Sequence, residues 1–117
     1  MCTVTFVPSA DRIVITSNRD EQVLRPALAP QSYQVGNQKL TFPKDPLAGG
    51  TWYAARENGD VLVLLNGAAE KHAHRPPYRR SRGLIVLDLL SSGVARSAWD
   101  HIDLDQVEPF TLVLFED

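Results

Sequence analysis

The sequence of residues 51–65 is TWYAARENGDVLVLL, in which two apolar runs flank the dipeptide Asn58-Gly59. This dipeptide is among the strongest local signals for a β-hairpin, because both of its residues tolerate the positive φ angles of a tight turn. The flanking runs, residues 51–56 and 60–65, contain many valine and aromatic residues, which favour strands. The sequence therefore predicts a β-hairpin near the middle of the chain.

Two further hairpins are predicted before this one. Apolar, β-branched runs at residues 2–7 and 12–16 are joined by the turn-forming residues 8–11. Residues 33–42 form the second candidate, with a turn at Gly36-Asn37. Residues 25–30 contain two prolines and no hydrophobic period, which predicts a loop.

The last third of the chain changes character. Residues 84–90 are apolar nearly all round, which predicts a buried helix that begins near Ser81 and ends at residues 91–93. A shorter helix is predicted over residues 94–102, and a final strand over residues 111–115. Strands followed by helices indicate an α+β fold, with a mostly antiparallel sheet covered on one face by helices.

Composition limits the classes of function. The chain has 117 residues, which suits a single domain at 1–117, and its net charge of -2 gives no reason to expect a nucleic-acid partner. Its apolar runs are too short for a membrane span. One cysteine cannot form an internal disulfide, and the first residues do not resemble a secretion signal, so we expect a cytoplasmic protein.

The single cysteine follows the initiator methionine directly, at position 2. Removal of Met1 would leave a thiol and an α-amine on one residue, and an amine with a pKa near ~8 can act as general base for that thiol. N-terminal-nucleophile hydrolases use this arrangement. Alternatively, Cys2 is a small buried apolar residue in an edge strand.

A dense polar cluster, residues 18–21, follows the second predicted strand. Hairpin pairing would return this strand end to Cys2. Asp20 could then accept a hydrogen bond from the ammonium or thiol of Cys2, while Arg19 could hold the thiolate or a substrate carboxylate. A solvated turn is the alternative interpretation.

Asn66 ends another predicted strand and precedes a glycine. Its amide could donate a hydrogen bond to an oxyanion, or the pair Asn66-Gly67 could simply form a turn. Gly50 would let a ligand or another backbone segment approach closely, and Trp52 could form an aromatic wall. Both features are expected of a binding cleft, but a tight loop would also explain them.

No cofactor and no metal site are predicted. His72 and His74 are one residue apart, but no carboxylate or cysteine pattern completes a set of metal ligands. The nearby Arg75, Arg79, Arg80 and Arg82 could clamp an anion near the start of the first helix, or they could form a charged surface loop.

Several motifs, taken in order, resemble those of the NRDE family, whose animal members are called transport and Golgi organisation protein 2. The motifs are Met1-Cys2-Thr3, Ser17-Asn18-Arg19-Asp20-Glu21, Phe42-Pro43-Lys44-Asp45-Pro46, Gly49-Gly50-Thr51-Trp52, Leu64-Leu65-Asn66-Gly67 and Ser81-Arg82-Gly83. The resemblance covers essentially the whole chain. Because family members usually continue well beyond this length, we expect an N-terminal portion or a shortened member.

The resemblance implies an N-terminal-nucleophile-like sandwich, with antiparallel sheets between helices, of which only the N-terminal part is expected here. The family is more remotely similar to choloylglycine hydrolases and penicillin V acylases. That similarity implies Cys2 as nucleophile, Asp20 as the aspartate beside it and Asn66 as an oxyanion-hole residue. One departure is Ser17, which stands where those hydrolases have an arginine.

Two functions follow from the resemblance. The first is a cysteine amidohydrolase that acts on a non-peptide C–N amide bond of a small molecule, with Asn18, Arg19, Trp52 and Gly50 binding the substrate. The second is a non-catalytic module that binds haem or an acyl lipid for trafficking, because the family is linked to Golgi organisation, haem movement and acyl-coenzyme A metabolism. In either case we expect a homo-oligomer, or else a marginal and aggregation-prone monomer, because a partial sandwich exposes apolar strand faces and edges.

Overall fold

The computed structural model describes residues 2–67 and 69–116. Removal of Met1, which the N-terminal-nucleophile interpretation requires, therefore concerns a residue outside the described ones. The elements in chain order are β1 (Thr3–Pro8), β2 (Ile13–Asn18), β3 (Leu28–Val35), β4 (Gln38–Lys44), β5 (Tyr53–Arg56), β6 (Val61–Asn66), α1 (Arg82–Leu90), α2 (Ala95–Trp99) and β7 (Phe110–Phe115).

The strands form two antiparallel sheets. Strands β1 and β2 form a separate hairpin, and the other five lie side by side in the order β3-β4-β5-β6-β7. The predicted central hairpin is confirmed as β5 and β6, with Tyr53 opposite Val63 and with Gly59 at a φ of 101° in the turn. The α+β class with antiparallel sheets is confirmed as well.

Helix α1 packs against one face of the five-stranded sheet. Side chains alternate along a strand, so Leu62 and Leu64 of β6 point to the same face and contact the buried side of this helix. The result is a dry core under the helix, formed by Leu40, Phe42, Ala54, Leu62, Leu64, Ile85, Val86, Leu87, Leu89 and Leu90.

The hairpin β1–β2 lies on the opposite face of the sheet. Phe6 and Phe115 contact each other with ring centroids 5.9 Å apart, and the Tyr53 hydroxyl donates a hydrogen bond of 2.9 Å to the Ile15 carbonyl. An apolar cleft of about 120 Å³ remains between the hairpin and the sheet, partly lined by Val63 and Val113. The second face is thus covered less completely than the first.

A buried arginine fixes the end of α1. Arg56 donates from Nε to the carbonyl of Leu90 at 3.1 Å, and it also contacts the carbonyl of Gly93. Its Nη1 lies 3.1 Å from Asp60 Oδ2. Because the last carbonyls of a helix have no partner within the helix, this side chain anchors α1 to the central hairpin.

The structure corrects three sequence predictions. Residues 28–30, predicted as loop, begin β3, which tolerates Pro30 because β3 is an edge strand and has a register irregularity after Leu28. Strand β2 extends two residues further than predicted, to Asn18. Helix α2 covers only Ala95–Trp99, much less than residues 94–102.

Candidate functional site

A cavity of about 290 Å³ lies where the ends of β2 and β6 meet the start of α1. Its walls combine arginines, carboxylates and a few apolar groups. The lining residues are Cys2, Arg19, Glu21, Arg25, Asp45, Ala48, Gly50, Thr51, Trp52, Leu64, Asn66, Tyr78, Arg80, Ser81, Arg82, Gly83 and Glu108.

Cys2 reaches this cavity through the pairing of the N-terminal hairpin. Thr3 pairs with Asn18, so extending the register by one residue places Cys2 opposite Arg19. The Cys2 side chain is half-buried and lines the cavity. Of the polar cluster at residues 18–21, Arg19 and Glu21 therefore lie at the same cavity as the thiol.

Arg19 and Trp52 form one wall. The guanidinium carbon of Arg19 lies 4.3 Å from the centroid of the Trp52 ring, and its Nη2 donates a hydrogen bond of 3.1 Å to Asp45. Stacking on the ring and pairing with a carboxylate hold the guanidinium at a fixed place. Two predicted substrate-binding residues are thus in direct contact.

Asp45 is a buried carboxylate that sequence analysis did not single out. Its Oδ2 also accepts a hydrogen bond of 2.9 Å from Arg25 Nε, and its Oδ1 accepts one of 2.9 Å from the amide of Leu47. Burial alone would raise the pKa of Asp45, but the Arg25 guanidinium and the amides of Leu47 and Ala48 outweigh it and lower the pKa. Asp45 is therefore an anionic anchor for the wall that carries Arg19.

Gly50 brings the loop before β5 against the first turn of α1. A Cβ atom on Gly50 would lie 2.3 Å from the carbonyl carbon of Gly83 and 2.6 Å from the amide nitrogen of Leu84. The Thr51 amide donates to the Gly83 carbonyl at 3.3 Å. This close approach of two backbones explains why glycine occupies position 50, and it places the start of α1 at the cavity.

Asn66 is the last residue of β6 and pairs with Phe110 of β7. Its side chain is exposed and lines the cavity. The next residue, Gly67, has a φ of 86°, which turns the chain away after the strand. The amide of Asn66 thus stands free of the core at the same cavity as Cys2.

Glu108 carries the opposite wall and was also missed by sequence analysis. It forms an ion pair with Arg82, whose Nη2 lies 3.2 Å from Oε2. Its other oxygen lies 3.0 Å from His72 Nε2 and 3.4 Å from His74 Nδ1. Burial alone would raise the pKa of Glu108, but the bonds to His72 and His74 and the charges of Arg82 and His72 together outweigh it and lower the pKa. The two histidines that we treated as solvated loop residues therefore hold a carboxylate of the site.

Every arginine of the cavity is paired with a carboxylate. Arg80 forms two bonds with Asp88, of 2.6 and 2.7 Å, while Arg19, Arg25 and Arg82 pair with Asp45 or Glu108. The arginines that the sequence grouped as a possible anion clamp do not all face the cavity. Arg80 and Arg82 line it, whereas Arg79 donates a hydrogen bond to the Asp105 carbonyl outside the cavity. The cavity thus presents both signs of charge.

Two predicted site residues lie outside the lining. Asn18 ends β2 opposite Thr3 with an exposed side chain, and Asp20 is exposed two residues further on. Within residues 2–67 and 69–116, no group of three His, Cys, Asp or Glu side chains is arranged to hold a metal ion. Neither helix of the described chain is long and apolar enough to cross a membrane.

The fold and the cavity define a class: an α+β protein whose N-terminal cysteine borders a small polar cavity formed by strand ends and a helix start. The chain belongs to the Transport and Golgi organisation 2 family, the NRDE family that the motifs predicted, because the model of this family matches residues 1–116. No curated protein and no solved structure matches the chain.

Proposed function

We propose that the protein is a cysteine hydrolase of the N-terminal-nucleophile kind, which cleaves a non-peptide C–N amide bond of a small molecule. The observation that carries this proposal is the presence of Cys2, Arg19 and Asn66 in one cavity, although Cys2 precedes β1, Arg19 follows β2 and Asn66 ends β6. The two antiparallel sheets, with α1 outside the larger one, also suit the first part of an N-terminal-nucleophile sandwich.

The proposed reaction starts at the thiol of Cys2. Its sulfur attacks the amide carbonyl carbon, a C–S bond forms, and the π electrons move to the oxygen, to which Asn66 donates a hydrogen bond. The α-amine of Cys2 takes the thiol proton and passes it to the leaving nitrogen as the C–N bond breaks. Water then hydrolyses the thioester and releases the acid.

The remaining residues orient these groups and the substrate. Asp20 would accept a hydrogen bond from the ammonium of Cys2 as it forms. Arg19 and Trp52 would bind the substrate from one side, with Gly50 and Asn18 at the edges of the site. The mechanism requires removal of Met1, since only a free α-amine on Cys2 can act as base.

The dimensions of the cavity support a small substrate. Sites for drug-sized ligands occupy about 300–1,000 Å³, and the cavity of about 290 Å³ found here lies just below that range. Paired charges along its walls suit a polar molecule better than one with several unpaired negative charges. Binding of haem or an acyl lipid without catalysis is the second candidate, favoured by the indole of Trp52 beside the Arg19 guanidinium.

A cytoplasmic location and self-association are two further predictions from the sequence. Sedimentation equilibrium over a wide concentration range would test the self-association.

The test compares three variants on a panel of chromogenic N-acyl amides. We expect Cys2→Ala to abolish hydrolysis and Asn66→Ala to lower kcat by about a hundredfold, because one oxyanion donor is lost. Asn37 lies in the exposed turn between β3 and β4, so Asn37→Ala is the matched control and should leave kcat unchanged. Equal activity of Asn66→Ala and the wild type would remove Asn66 from the mechanism.

A haem titration of the same proteins separates the two candidate functions. Hydrolysis that depends on Cys2, together with weak haem binding, supports the hydrolase. Tight haem binding that persists in Cys2→Ala, with no hydrolysis of any amide, would instead establish a carrier that does not use the thiol.

A further inference from the structure

Three apolar side chains project from two loops beside the cavity. Val23 and Leu24 lie in the turn between β2 and β3 and are 100% and 94% exposed, and Leu47, between β4 and β5, is 70% exposed. Single exposed apolar residues are ordinary, but three on neighbouring loops mark an interaction surface. We call these three residues the apolar rim.

An ion pair joins the two loops that carry the apolar rim. Arg25 Nη2 lies 2.6 Å from Asp45 Oδ2. Leu24 directly precedes Arg25, and Leu47 follows Asp45 by two residues, so the pair joins the two loops close to the exposed apolar residues. The Leu47 amide also donates a hydrogen bond of 2.9 Å to Asp45 Oδ1, and this bond fixes the base of the second loop.

The apolar rim borders the mouth of the cavity. Glu21 and Arg25 flank Val23 and Leu24 in the chain, Asp45 and Ala48 flank Leu47, and all four flanking residues line the cavity. Any partner that covers the rim therefore also faces the cavity mouth.

The shape of the rim selects the kind of partner. Val23 and Leu24 are almost fully exposed, so a flat protein surface, including that of a second copy, would cover only part of each side chain. A fluid apolar layer, in contrast, surrounds projecting side chains on every side. Interfacial proteins bury apolar groups of this kind about 5–10 Å into the boundary between headgroups and acyl chains.

The charges around the rim indicate which lipid surface fits. Arg19 and Arg25 are balanced by Glu21 and Asp45, and these groups form ion pairs at the rim. Proteins that seek anionic membranes carry clusters of unpaired Lys and Arg instead. A surface with both signs of charge complements a layer of zwitterionic headgroups.

We propose that the apolar rim inserts into a zwitterionic phospholipid surface and sets the cavity mouth against the membrane. The protein is then a peripheral membrane protein that takes its ligand from, or returns it to, the lipid phase. This proposal stands on the rim alone and does not depend on the chemistry of Cys2.

The test is co-sedimentation with large phosphatidylcholine vesicles. We expect the wild type to bind, and the double variant Leu24→Ser, Leu47→Ser to lose about tenfold in partition coefficient for each leucine. Val94→Ser is the matched control, because Val94 is 58% exposed but lies at the start of α2 and not in either loop of the rim. Binding should also change little between about 0.05 and about 0.5 M NaCl, since screening acts on charges and not on apolar insertion.

Several outcomes would overturn the proposal. Failure of the wild type to sediment with vesicles would do so, as would binding of the double variant equal to that of the wild type. Binding confined to anionic vesicles and removed by salt would indicate electrostatic attraction. Self-association in the absence of lipid that the double variant abolishes would identify the rim as an interface between copies. Cys2→Ala should bind vesicles like the wild type, so failure of the hydrolase proposal is recognised separately.

Discussion

The two faces of the five-stranded sheet differ in how well they are covered. Under α1, Leu62 is 2% exposed and packs in a continuous core. On the other face Val63 is 1% exposed, but Val113 remains 38% exposed and Phe6 of the hairpin 52% exposed. The hairpin carries Cys2 to the cavity, while α1 contributes the opposite edge. Stability is therefore concentrated on the helix face, and the candidate chemistry lies where the less tightly packed hairpin meets the start of α1.

The largest expected effect comes from deleting side chains on each face. Leu62→Ala should lower the free energy of unfolding by about 3–4 kcal/mol, because it leaves a cavity in a dry core. Phe6→Ala should cost only about 1 kcal/mol, because half of that ring is already in water. Urea unfolding of both variants measures the difference, and equal losses would show that the two faces are equally packed.

A smaller effect is expected where the two regions meet. Gly50→Ala should cost about 2 kcal/mol, because the new Cβ would collide with the backbone of Gly83. Gly67→Ala is the control, since no atom lies within 4 Å of its added Cβ and only its φ of 86° is unfavourable, at about 1 kcal/mol. A Gly50→Ala variant as stable as the wild type would mean that the loop is not held against α1.

The smallest effect is the pH dependence of stability. Asp45 and Glu108 have pKa values below their ordinary 3.8 and 4.5 in the folded protein, so the unfolded chain binds protons first as the pH falls. The stability that these two carboxylates add to the folded protein is fully present near neutral pH. It is lost as the pH falls through about 4.5 and below. The melting temperature of the wild type should therefore fall with pH over this range. The melting temperature of Asp45→Asn should fall less steeply. Identical slopes would show that Asp45 is not stabilised as an anion.

Local signals predicted much of the fold. Asn58-Gly59 identified the central hairpin, and the apolar run at residues 84–90 identified α1, because turn chemistry and side-chain burial act over a few residues. Residues 28–30 were wrongly predicted, since the sequence does not reveal that β3 is an edge strand, where a proline costs little.

The candidate site was predicted less completely. Hairpin pairing was enough to bring Arg19 to Cys2. Asp45 and Glu108 were missed because their partners, Arg25 and His72, lie far away in the chain, and no local pattern joins an acid to a distant base. In the sequence, Asp45 lies between two prolines and shortly before Gly49-Gly50. That pattern could have pointed to Asp45, but it is also typical of an ordinary turn.

The most direct test of a working nucleophile at the cavity is alkylation of Cys2 by iodoacetamide, followed by intact mass spectrometry. The same spectrum reports whether Met1 has been removed. We expect protein that begins at Cys2 to gain one carbamidomethyl group while folded, at least as fast as in urea, because the half-buried thiol lines an open cavity beside its own amine. Modification that occurs only after unfolding would show that Cys2 is structural and would contradict the hydrolase.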